Sequence, residues 1–503
     1  MELYNIDFLA TNLFSKKFND SVSDSHSLSI EKIHSLSEKK KLSSGNRELL
    51  SKVLMDQYKG ISEIKKVSDN IKSIKDLNTY TVTTGHQLNI FTGPLYVIYK
   101  IVSTIKLTQE LNNTYPDKHY VPVYWMASED HDFKEIQSFQ AFGKKYTWDI
   151  NPTGAVGKID PKSIKSILDE LPEKISLFED AYLKSKSLSE AVRKYMHSLF
   201  GSYGLVVIDA NSKRLKKCFA PIIKDDIINN SIKNISKDKE EKSQVHVREI
   251  NFFYMVERMR ERIVFSNNRY SVNNTDIVFS EEEILKEIEK NPEKFSPNVI
   301  TRCLYQEHIL PNICYIGGPA EVTYWLEFKK FFDKYKINYP VVVPRDFVLL
   351  LTKRNQKTLT KYGIELSQLF VGKKNVIETI LNIYSDNKNN FDDEIKKIKE
   401  AYESLVVKYS SIDKSMSGNV ESKSKQTIKS IVELEKKYKK AQKSSNAKLI
   451  QNIDNLYGSL FGNNSSQERY ENFLYYYASD ETFIANLVDI LNPLALNYKI
   501  IKL

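Results

Sequence analysis

TYTVTTGHQLNIFTGPLYVIYK spans Thr79–Lys100, and YVPVYWMASEDHDF spans Tyr120–Phe133. Each segment opens with β-branched and aromatic residues, which are typical of buried strands. In the first segment and just after it, Leu95, Ile98, Val102 and Ile105 recur at spacings of 3, 4 and 3, which predicts one apolar face of a helix. Strand, helix and strand in this order form a βαβ unit with parallel strands and a right-handed crossover. The sequence therefore predicts an α/β fold with a parallel sheet.

Three later segments repeat the strand pattern: Gly204–Ala210, Asn312–Ile316 and Tyr339–Val343. The last two fit the same sheet, so we place the α/β core in residues 76–154 and 301–385.

The segments around this core are mainly charged and amphipathic. Residues 155–300 are predicted to be a helical connecting insertion, with the strand at 204–210 as a candidate member of the core sheet. Residues 1–75 predict a helical segment that packs on the core, and residues 461–503 predict a C-terminal segment that returns to it.

Residues 386–460 have a different periodicity. Apolar residues alternate spacings of 3 and 4 at Ile395, Ile398, Tyr402, Leu405, Tyr409, Ile412 and Met416, and again at Ile431, Leu434, Tyr438 and Ala441. This pattern predicts a long antiparallel coiled coil with its turn near Gly418. The alternative is an amphipathic helix packed on its own core. The uniform Lys and Glu on the other face favour a coil that projects and forms a homodimer.

The composition excludes several classes of protein. Of 503 residues, 41% are hydrophobic and 27% charged, so the chain is neither disordered nor fibrous. No apolar run approaches the roughly 18 residues of a membrane helix, and no signal peptide is visible, so we expect a cytoplasmic protein without a membrane partner. The three cysteines, Cys218, Cys303 and Cys314, lack CxxC spacing, which argues against a disulfide scaffold and a zinc site.

Two glycine–proline pairs stand where a strand end becomes a helix: Gly93-Pro94 and Gly318-Pro319. Proline suits the first helical position, and the free N–H groups of a helix start attract phosphate or carboxylate. Because ligands of open α/β sheets bind beyond the carboxyl ends of the strands, the two pairs predict one shared anion-binding crevice. Ordinary helix initiation is the alternative.

The EDHDF segment at 129–133 brings three carboxylates and one imidazole to a strand end. His131 could act as a general base oriented by Asp130 or Asp132, and the carboxylates could bind Mg²⁺ or an ammonium. Acidic residues that complement a helix dipole are the alternative. His86 ends the neighbouring strand, and Arg345 could clamp a carboxylate or form an internal salt bridge.

No nicotinamide fingerprint, P-loop, nucleophile elbow or HExxH zinc helix is present. However, TGHQLNIFTGPLYVIYK, VPVYWMASEDHDF and SPNVITRCLYQEHILPNICYIGGPAEVTYW resemble the bacillithiol biosynthesis cysteine-adding enzymes (BshC). PVVVPRDF and the segment from Gln467 to Asn472 extend the resemblance nearly end to end. The family has Gln where this chain has His86.

The resemblance implies a Rossmann-like core related to class I nucleotidyltransferases, helical connecting insertions and a coiled coil for homodimerisation. It implies the last step of bacillithiol synthesis, which joins the carboxyl group of cysteine to the amine of glucosaminyl-malate. ATP and an aminoacyl-adenylate are expected to activate the carboxyl group, with Mg²⁺ as an optional ion and no zinc.

His131, Asp130 and Asp132 are the candidate catalytic residues, and no metal ligands are assigned. The candidate substrate- and anion-binding residues are Thr84, Gly85, His86, Gln87, Asn89, Thr92, Gly93, Lys100, Tyr315, Gly317, Gly318, Glu321, Tyr324, Trp325, Arg345, Gln467 and Arg469. Tyr324 and Trp325 are expected to offer a stacking surface.

Two other functions fit parts of the sequence. The lysine-rich coil and a pI near 9.0 would suit a nucleotide- or RNA-binding scaffold without catalysis. Its basic residues are interleaved with Glu, and no aromatic and basic stripe for stacking bases is evident, so we expect no nucleic-acid partner. A metal-dependent amidohydrolase built on EDHD is the third possibility.

Overall fold

The computed structural model describes residues 1–23, 28–236, 245–384, 391–413, 415, 417–462 and 465–503. The strands are β1 (Glu2–Asp7), β2 (Thr79–His86), β3 (His119–Met126), β4 (Ser138–Ala141), β5 (Lys144–Thr147), β6 (Val206–Asp209), β7 (Phe252–Val256), β8 (Met259–Ser266), β9 (Arg269–Val272), β10 (Val278–Phe279), β11 (Phe295–Pro297), β12 (Asn312–Gly317), β13 (Val341–Pro344), β14 (Phe347–Leu351) and β15 (Asn497–Lys502).

The helices are α1 (Lys16–Ser23), α2 (Ile30–Ser35), α3 (Ser44–Gln57), α4 (Lys65–Ser73), α5 (Leu95–Thr114), α6 (Phe133–Ile136), α7 (Lys165–Glu170), α8 (Ser176–Leu183), α9 (Leu188–Phe200), α10 (Lys213–Asn229), α11 (Ser231–Ser236), α12 (Glu281–Lys290), α13 (Val299–Ile309), α14 (Pro319–Tyr335), α15 (Lys353–Tyr362), α16 (Lys373–Tyr384), α17 (Asp392–Ser410), α18 (Ser417–Ser445), α19 (Ala447–Leu460), α20 (Leu474–Ser479) and α21 (Phe483–Ile490). Within the described residues, none of these helices is long and apolar enough to cross a membrane.

The first compact unit comprises Met1 and residues 3–349 and 467–500 and is built on a five-stranded sheet. Its strands lie in the order β13-β12-β2-β3-β6, and every neighbouring pair is parallel. This sheet confirms the predicted α/β class. The strand expected at 204–210 is β6, which pairs with β3 at one edge.

The central strand is buried along most of its length, because helices cover both faces of a parallel sheet. Val82 of β2 and Tyr120 of β3 pack with Leu107 and Leu111 of α5 in one apolar cluster. The helix therefore packs directly on the two strands that it connects, and their carboxyl ends point to the same edge.

The insertion contains more strand than the sequence predicted. β10, β9, β8, β7 and β11 form a five-stranded antiparallel sheet between residues 252 and 297, where we expected mainly helix. The charged residues of β8 hid its strand character. Asn267 and Asn268 both have positive φ, of 51° and 61°, in the turn between β8 and β9. Two such residues are typical of a hairpin turn, and this is the signal that the sequence reading overlooked.

The second compact unit comprises Glu2, residues 350–466 and residues 501–503, and it holds the coiled coil. The hydroxyls of Tyr402 and Thr427 lie 2.8 Å apart, and the rings of Phe391 and Tyr438 lie 5.6 Å apart. These two pairs have the same sum of residue numbers, so α17 and α18 run antiparallel, as predicted.

The turn of the coil lies before the predicted position. α17 ends at Ser410 and α18 begins at Ser417, so Gly418 belongs to the first turn of α18. Met416, assigned to the heptad pattern, lies outside the described residues.

Candidate active site

A cavity of about 850 Å³ opens at the carboxyl ends of the core strands, within the first unit. Gly85 and His86 of β2 and Trp125 and Met126 of β3 contribute to its lining. Its position is the one expected for a ligand site of an open α/β sheet, and its volume suits a small-molecule site.

Three carboxylates line the cavity after β3; Glu129, Asp130 and Glu135 form this acidic cluster. The Gln87 amide nitrogen donates to Asp130 at 2.8 Å and to Glu135 at 2.6 Å. The buried ammonium of Lys216 lies 2.7 Å from Glu129. Glu129 is therefore closely paired, whereas the Arg260 guanidinium lies 3.9 Å from Asp130 and Glu135 accepts from the Gln87 amide.

Asp130 is the residue of this cluster whose ionisation state the structure defines best. Burial opposes its ionisation, but hydrogen bonds from His131 and Gln87 and the charge of Arg260 hold the pKa of Asp130 well below its ordinary value. Asp130 therefore presents a carboxylate to the cavity at neutral pH.

His131 does not have the geometry of the predicted general base. Its side chain is 48% exposed and is not among the groups that line the cavity. The Arg260 guanidinium lies 2.8 Å from its Nδ1. Because a guanidinium can only donate, Nδ1 is the acceptor of this hydrogen bond. Asp132 is exposed and also lies outside the lining.

The Gly318-Pro319 turn reaches the cavity. However, the carboxylate of Glu321, on the same helix, already occupies the place at the helix N-terminus where an anion would bind. Glu321 accepts the Gly318 N–H at 2.8 Å, the Tyr315 hydroxyl at 2.5 Å and the Lys100 ammonium at 2.6 Å. Burial opposes the charge of Glu321, yet Lys100 and these hydrogen bonds lower its pKa. The N-terminus of α14 is thus capped from within.

The Gly93-Pro94 turn does not open onto the cavity, which contradicts the predicted shared crevice. The Leu95 N–H donates to the Glu471 carbonyl at 2.8 Å, and the Asn472 amide donates to the Gly93 carbonyl at 2.6 Å. The C-terminal segment therefore covers this helix start. Gly93 itself is required there, because its φ is 73° and a Cβ would lie 2.6 Å from the Cβ of Asn89.

Arg345 lines the cavity but is already paired. Its two terminal nitrogens lie 2.8 and 2.6 Å from the two carboxylate oxygens of Glu468, and both side chains are almost fully buried. The alternative of an internal salt bridge is therefore correct, with Glu468 rather than the adjacent Asp346 as the partner. Asp346 pairs with Lys499 at 2.6 Å.

Two other arginines of the cavity have no carboxylate partner. Arg302 of α13 donates to the Gln306 amide oxygen at 3.1 Å and lies 3.2 Å from the Cys303 sulfur. Burial opposes its charge, but the neighbouring thiol, the phenols of Tyr315 and Tyr324, and Glu321 raise the pKa of Arg302. Arg469 is exposed at the cavity. Among the described residues, neither arginine forms an ion pair.

His86 lines the cavity as a neutral imidazole. Burial, together with the charges of Lys100 and Arg345, lowers the pKa of His86 to about 3. Its Nε2 lies 3.3 Å from the Tyr96 hydroxyl. The ring can therefore exchange hydrogen bonds with a ligand but carries no charge at neutral pH.

The structure brings only part of the predicted set together. The lining includes Gly85, His86, Gln87, Asp130, Tyr315, Gly318, Glu321, Tyr324, Arg345 and Arg469. Outside it lie Thr84, Asn89, Thr92, Gly93, Lys100, Gly317, Trp325 and Gln467. Trp325 is buried and stacks on Tyr315 with ring centroids 4.5 Å apart, so it is a core residue rather than a stacking surface for a ligand.

The sequence reading missed several lining residues, chiefly Tyr96, Arg260 and Arg302. Tyr96 and Arg302 lie inside motifs that were quoted, in the first turns of α5 and α13, where a side chain can reach the strand ends. Arg260 lies in the unpredicted antiparallel sheet, so no sequence signal pointed to it.

No three His, Cys, Asp or Glu side chains converge as a metal site within the described ranges. The three cysteines are unpaired, and Cys303 and Cys314 are buried.

Comparison with known proteins adds to this geometry. Residues 6–346 match the family described as "Bacillithiol biosynthesis BshC, N-terminal Rossmann-like domain", and residues 348–503 match its "C-terminal coiled-coil domain". A Flavobacterium psychrophilum protein named "Putative cysteine ligase BshC" is 42% identical over 91% of this chain and 89% of its own length. Proteins with the same name from Flavobacterium johnsoniae (42% identical, over 91% of this chain and 90% of their own length) and Christiangramia forsetii (38%, over 90% and 89%) are also similar. The chain belongs to the BshC family.

Proposed function

We propose that this protein is a ligase that joins the carboxyl group of L-cysteine to the amine of glucosaminyl-malate in the last step of bacillithiol biosynthesis. One observation carries the proposal: a single cavity holds carboxylates beside β3 and unpaired guanidinium groups from α13 and the C-terminal segment. Glucosaminyl-malate carries an ammonium and two carboxylates, so it complements both. The relatives' name, cysteine ligase, supports the same reaction.

Asp130 is the residue to which the substrate ammonium would donate. Its carboxylate is ionised, and the Gln87 amide fixes one of its oxygens at 2.8 Å. A charge-assisted hydrogen bond of this kind orients the amine so that its lone pair can face the cysteine carbonyl after a proton is lost. Glu129 is less suited to this role, because the Lys216 ammonium lies only 2.7 Å from it, whereas the cation nearest to Asp130, Arg260, lies 3.9 Å away.

The cysteine carboxyl group must be activated before the amine attacks. Amide formation breaks the bond from the carboxyl carbon to one oxygen, makes a carbon–nitrogen bond and releases protons from the ammonium. ATP is the expected activator, but the two glycine–proline helix starts fit a phosphate poorly. Glu321 accepts the Gly318 N–H, and the Glu471 carbonyl accepts the Leu95 N–H. We therefore assign no residue of this chain to an ATP-dependent step.

The coiled coil is proposed to form a homodimer. Val407, Ile412 and Leu434 are 70%, 84% and 52% exposed, although they are apolar. Val407 and Leu434 lie on α17 and α18, and Ile412 follows the end of α17. Such exposed apolar residues would be covered by the same surface of a second copy. We expect the reaction to take place in the cytoplasm, where thiols such as those of the substrate and of the unpaired cysteines remain reduced.

The proposed reaction is tested by mass spectrometry of the purified protein incubated with cysteine, glucosaminyl-malate, ATP and Mg²⁺. We expect a product whose mass equals the two substrates less one water. Leaving out each component in turn identifies the activator and the metal requirement. Absence of product with every combination would contradict the proposal.

A further inference from the structure

Arg302 is a partly buried residue of the cavity lining, and its hydrogen-bond partners are uncharged. Its side chain projects between β2 and β12: one terminal nitrogen would lie 3.6 Å from a Cβ on Gly85, and the guanidinium carbon lies 5.8 Å from the centroid of the Tyr315 ring. The hydrogen bond to Gln306 and the contact with Cys303 engage two of the five N–H groups of a guanidinium. The Tyr324 hydroxyl also hydrogen-bonds with this guanidinium, and the remaining donors are available to a ligand.

Most buried basic side chains of the same unit have a different environment, although the buried Arg193 contacts the Gln57 amide oxygen at 3.3 Å rather than a carboxylate. Each of the following has a carboxylate within 3.1 Å: Lys40, Lys100, Lys216, Arg345 and Lys499. Arg47, which has no carboxylate, donates instead to several backbone carbonyls. A cation removed from water without such compensation costs free energy. Arg302 is partly buried and forms no ion pair with a carboxylate of the described residues, so a bound anion would stabilise its charge.

Arg469 is a second such cation, at the exposed side of the same cavity. Its neighbour Glu468 is locked to Arg345 by two hydrogen bonds, so the backbone that carries Arg469 is fixed. Arg302 does not lie with the acidic cluster, because it adjoins β2 and β12, whereas the cluster follows β3. Because adjacent strands are about 4.8 Å apart, β12 and β3 are separated by about 10 Å.

We infer that Arg302 and Arg469 bind the two carboxylates of the malate group of the acceptor substrate, with Arg302 as the inner contact. The inference rests on the proposed function and identifies how that substrate is recognised. One ligand with an amine and two carboxylates would satisfy the acidic cluster and both arginines together. The cysteine carboxyl group is a poorer match, because it loses its charge on activation and a fixed guanidinium would then stabilise the unreacted state.

Binding calorimetry separates this recognition from catalysis. Arg302→Gln and Arg469→Gln are compared with Arg262→Gln, which changes an exposed arginine of β8 outside the cavity. We expect Arg302→Gln to weaken glucosaminyl-malate binding by about 10- to 100-fold, the usual value of a charge-assisted pair, and Arg469→Gln to weaken it less. Methyl glucosaminide, which lacks the carboxylates, should bind equally to all variants, as should cysteine. Arg302→Lys keeps the positive charge but not the planar guanidinium. Its affinity for glucosaminyl-malate should therefore lie between those of wild type and Arg302→Gln.

Thermal unfolding without ligand provides a second readout. If Arg302 only supported the fold, Arg302→Gln would lower the melting temperature; we expect it to be unchanged or raised, because an uncompensated cation has been removed. Undiminished binding of glucosaminyl-malate, a selective loss of cysteine or ATP binding, or a marked fall in melting temperature would each overturn the inference. If wild type binds glucosaminyl-malate, the arginine variants bind it more weakly, and no amide product forms, the result would contradict the proposed reaction but support this assignment.

Discussion

The buried pair between Arg345 and Glu468 offers the sharpest test of how the cavity wall is held. Their side chains are 2% and 3% exposed, and two hydrogen bonds of 2.6 and 2.8 Å join them. In Glu468→Gln, the new amide can satisfy one guanidinium nitrogen but turns N–H groups towards the other. Breaking such a buried pair by removing one partner costs about 3–5 kcal/mol. Because glutamine keeps the shape and one acceptor, we expect about 3 kcal/mol.

The assay is urea unfolding, followed by circular dichroism and tryptophan fluorescence, since all three tryptophans belong to the first unit. Arg345→Met and the double variant Arg345→Met/Glu468→Leu complete a double-mutant cycle. The double variant should lose less stability than either single change, because no charge is then left buried without a partner. A loss in the double variant equal to the sum of the two single losses would show that the pair is not coupled and would refute the reasoning.

Other predictions concern the site, its pH dependence and the coil. Asp130→Asn should lower kcat/KM by about 10- to 100-fold through loss of ammonium binding, whereas Asp132→Asn, an exposed control, should not. His131→Ala should cost less than tenfold in the same assay, and abolition of activity would restore the general-base role. Burial raises the pKa of Glu471 to about 7 from 4.5, so its contribution to stability is present at low pH and declines as pH rises through this range. Glu471→Gln should therefore be more stable than wild type at pH 8, by up to about 3 kcal/mol, and equal to it at pH 4 in urea titrations. Val407→Glu should convert a dimer to a monomer in light scattering without changing the helix content.

The sequence correctly predicted those helices and strands whose pattern of apolar residues is contained within one short segment. The apolar spacing of α5 and the β-branched run of β2 are set by neighbours in sequence, and both were correct. The coil was predictable for the same reason. The antiparallel sheet of the insertion was missed because half of the residues of β8 are polar and its apolar residues do not alternate with them. Its strand form therefore depends on pairing with β7 and β9 rather than on its own pattern.

The site was less predictable, because partners far apart in sequence decide it. The two glycine–proline pairs carry the same local signal, yet Asn472, 379 residues away, covers one and leaves the other at the cavity. The sequence leaves two roles open for Arg345, binding a ligand carboxylate or forming an internal salt bridge. The second is correct because of Glu468, which lies 123 residues away. No spacing rule could identify either partner.

The capping of α14, by contrast, was readable from the sequence. Glu321 stands three residues after Gly318, which is the position from which a glutamate reaches back to the first N–H of a helix. A glycine–proline start with a glutamate at this position is therefore not an open anion site, whatever its dipole. The binding of anions then falls to groups that the chain leaves unpaired, and in this cavity those are guanidinium groups. It follows that a phosphate donor and the malate carboxylates would have to use the same two arginines, unless Glu321 moves away from Gly318 and Lys100.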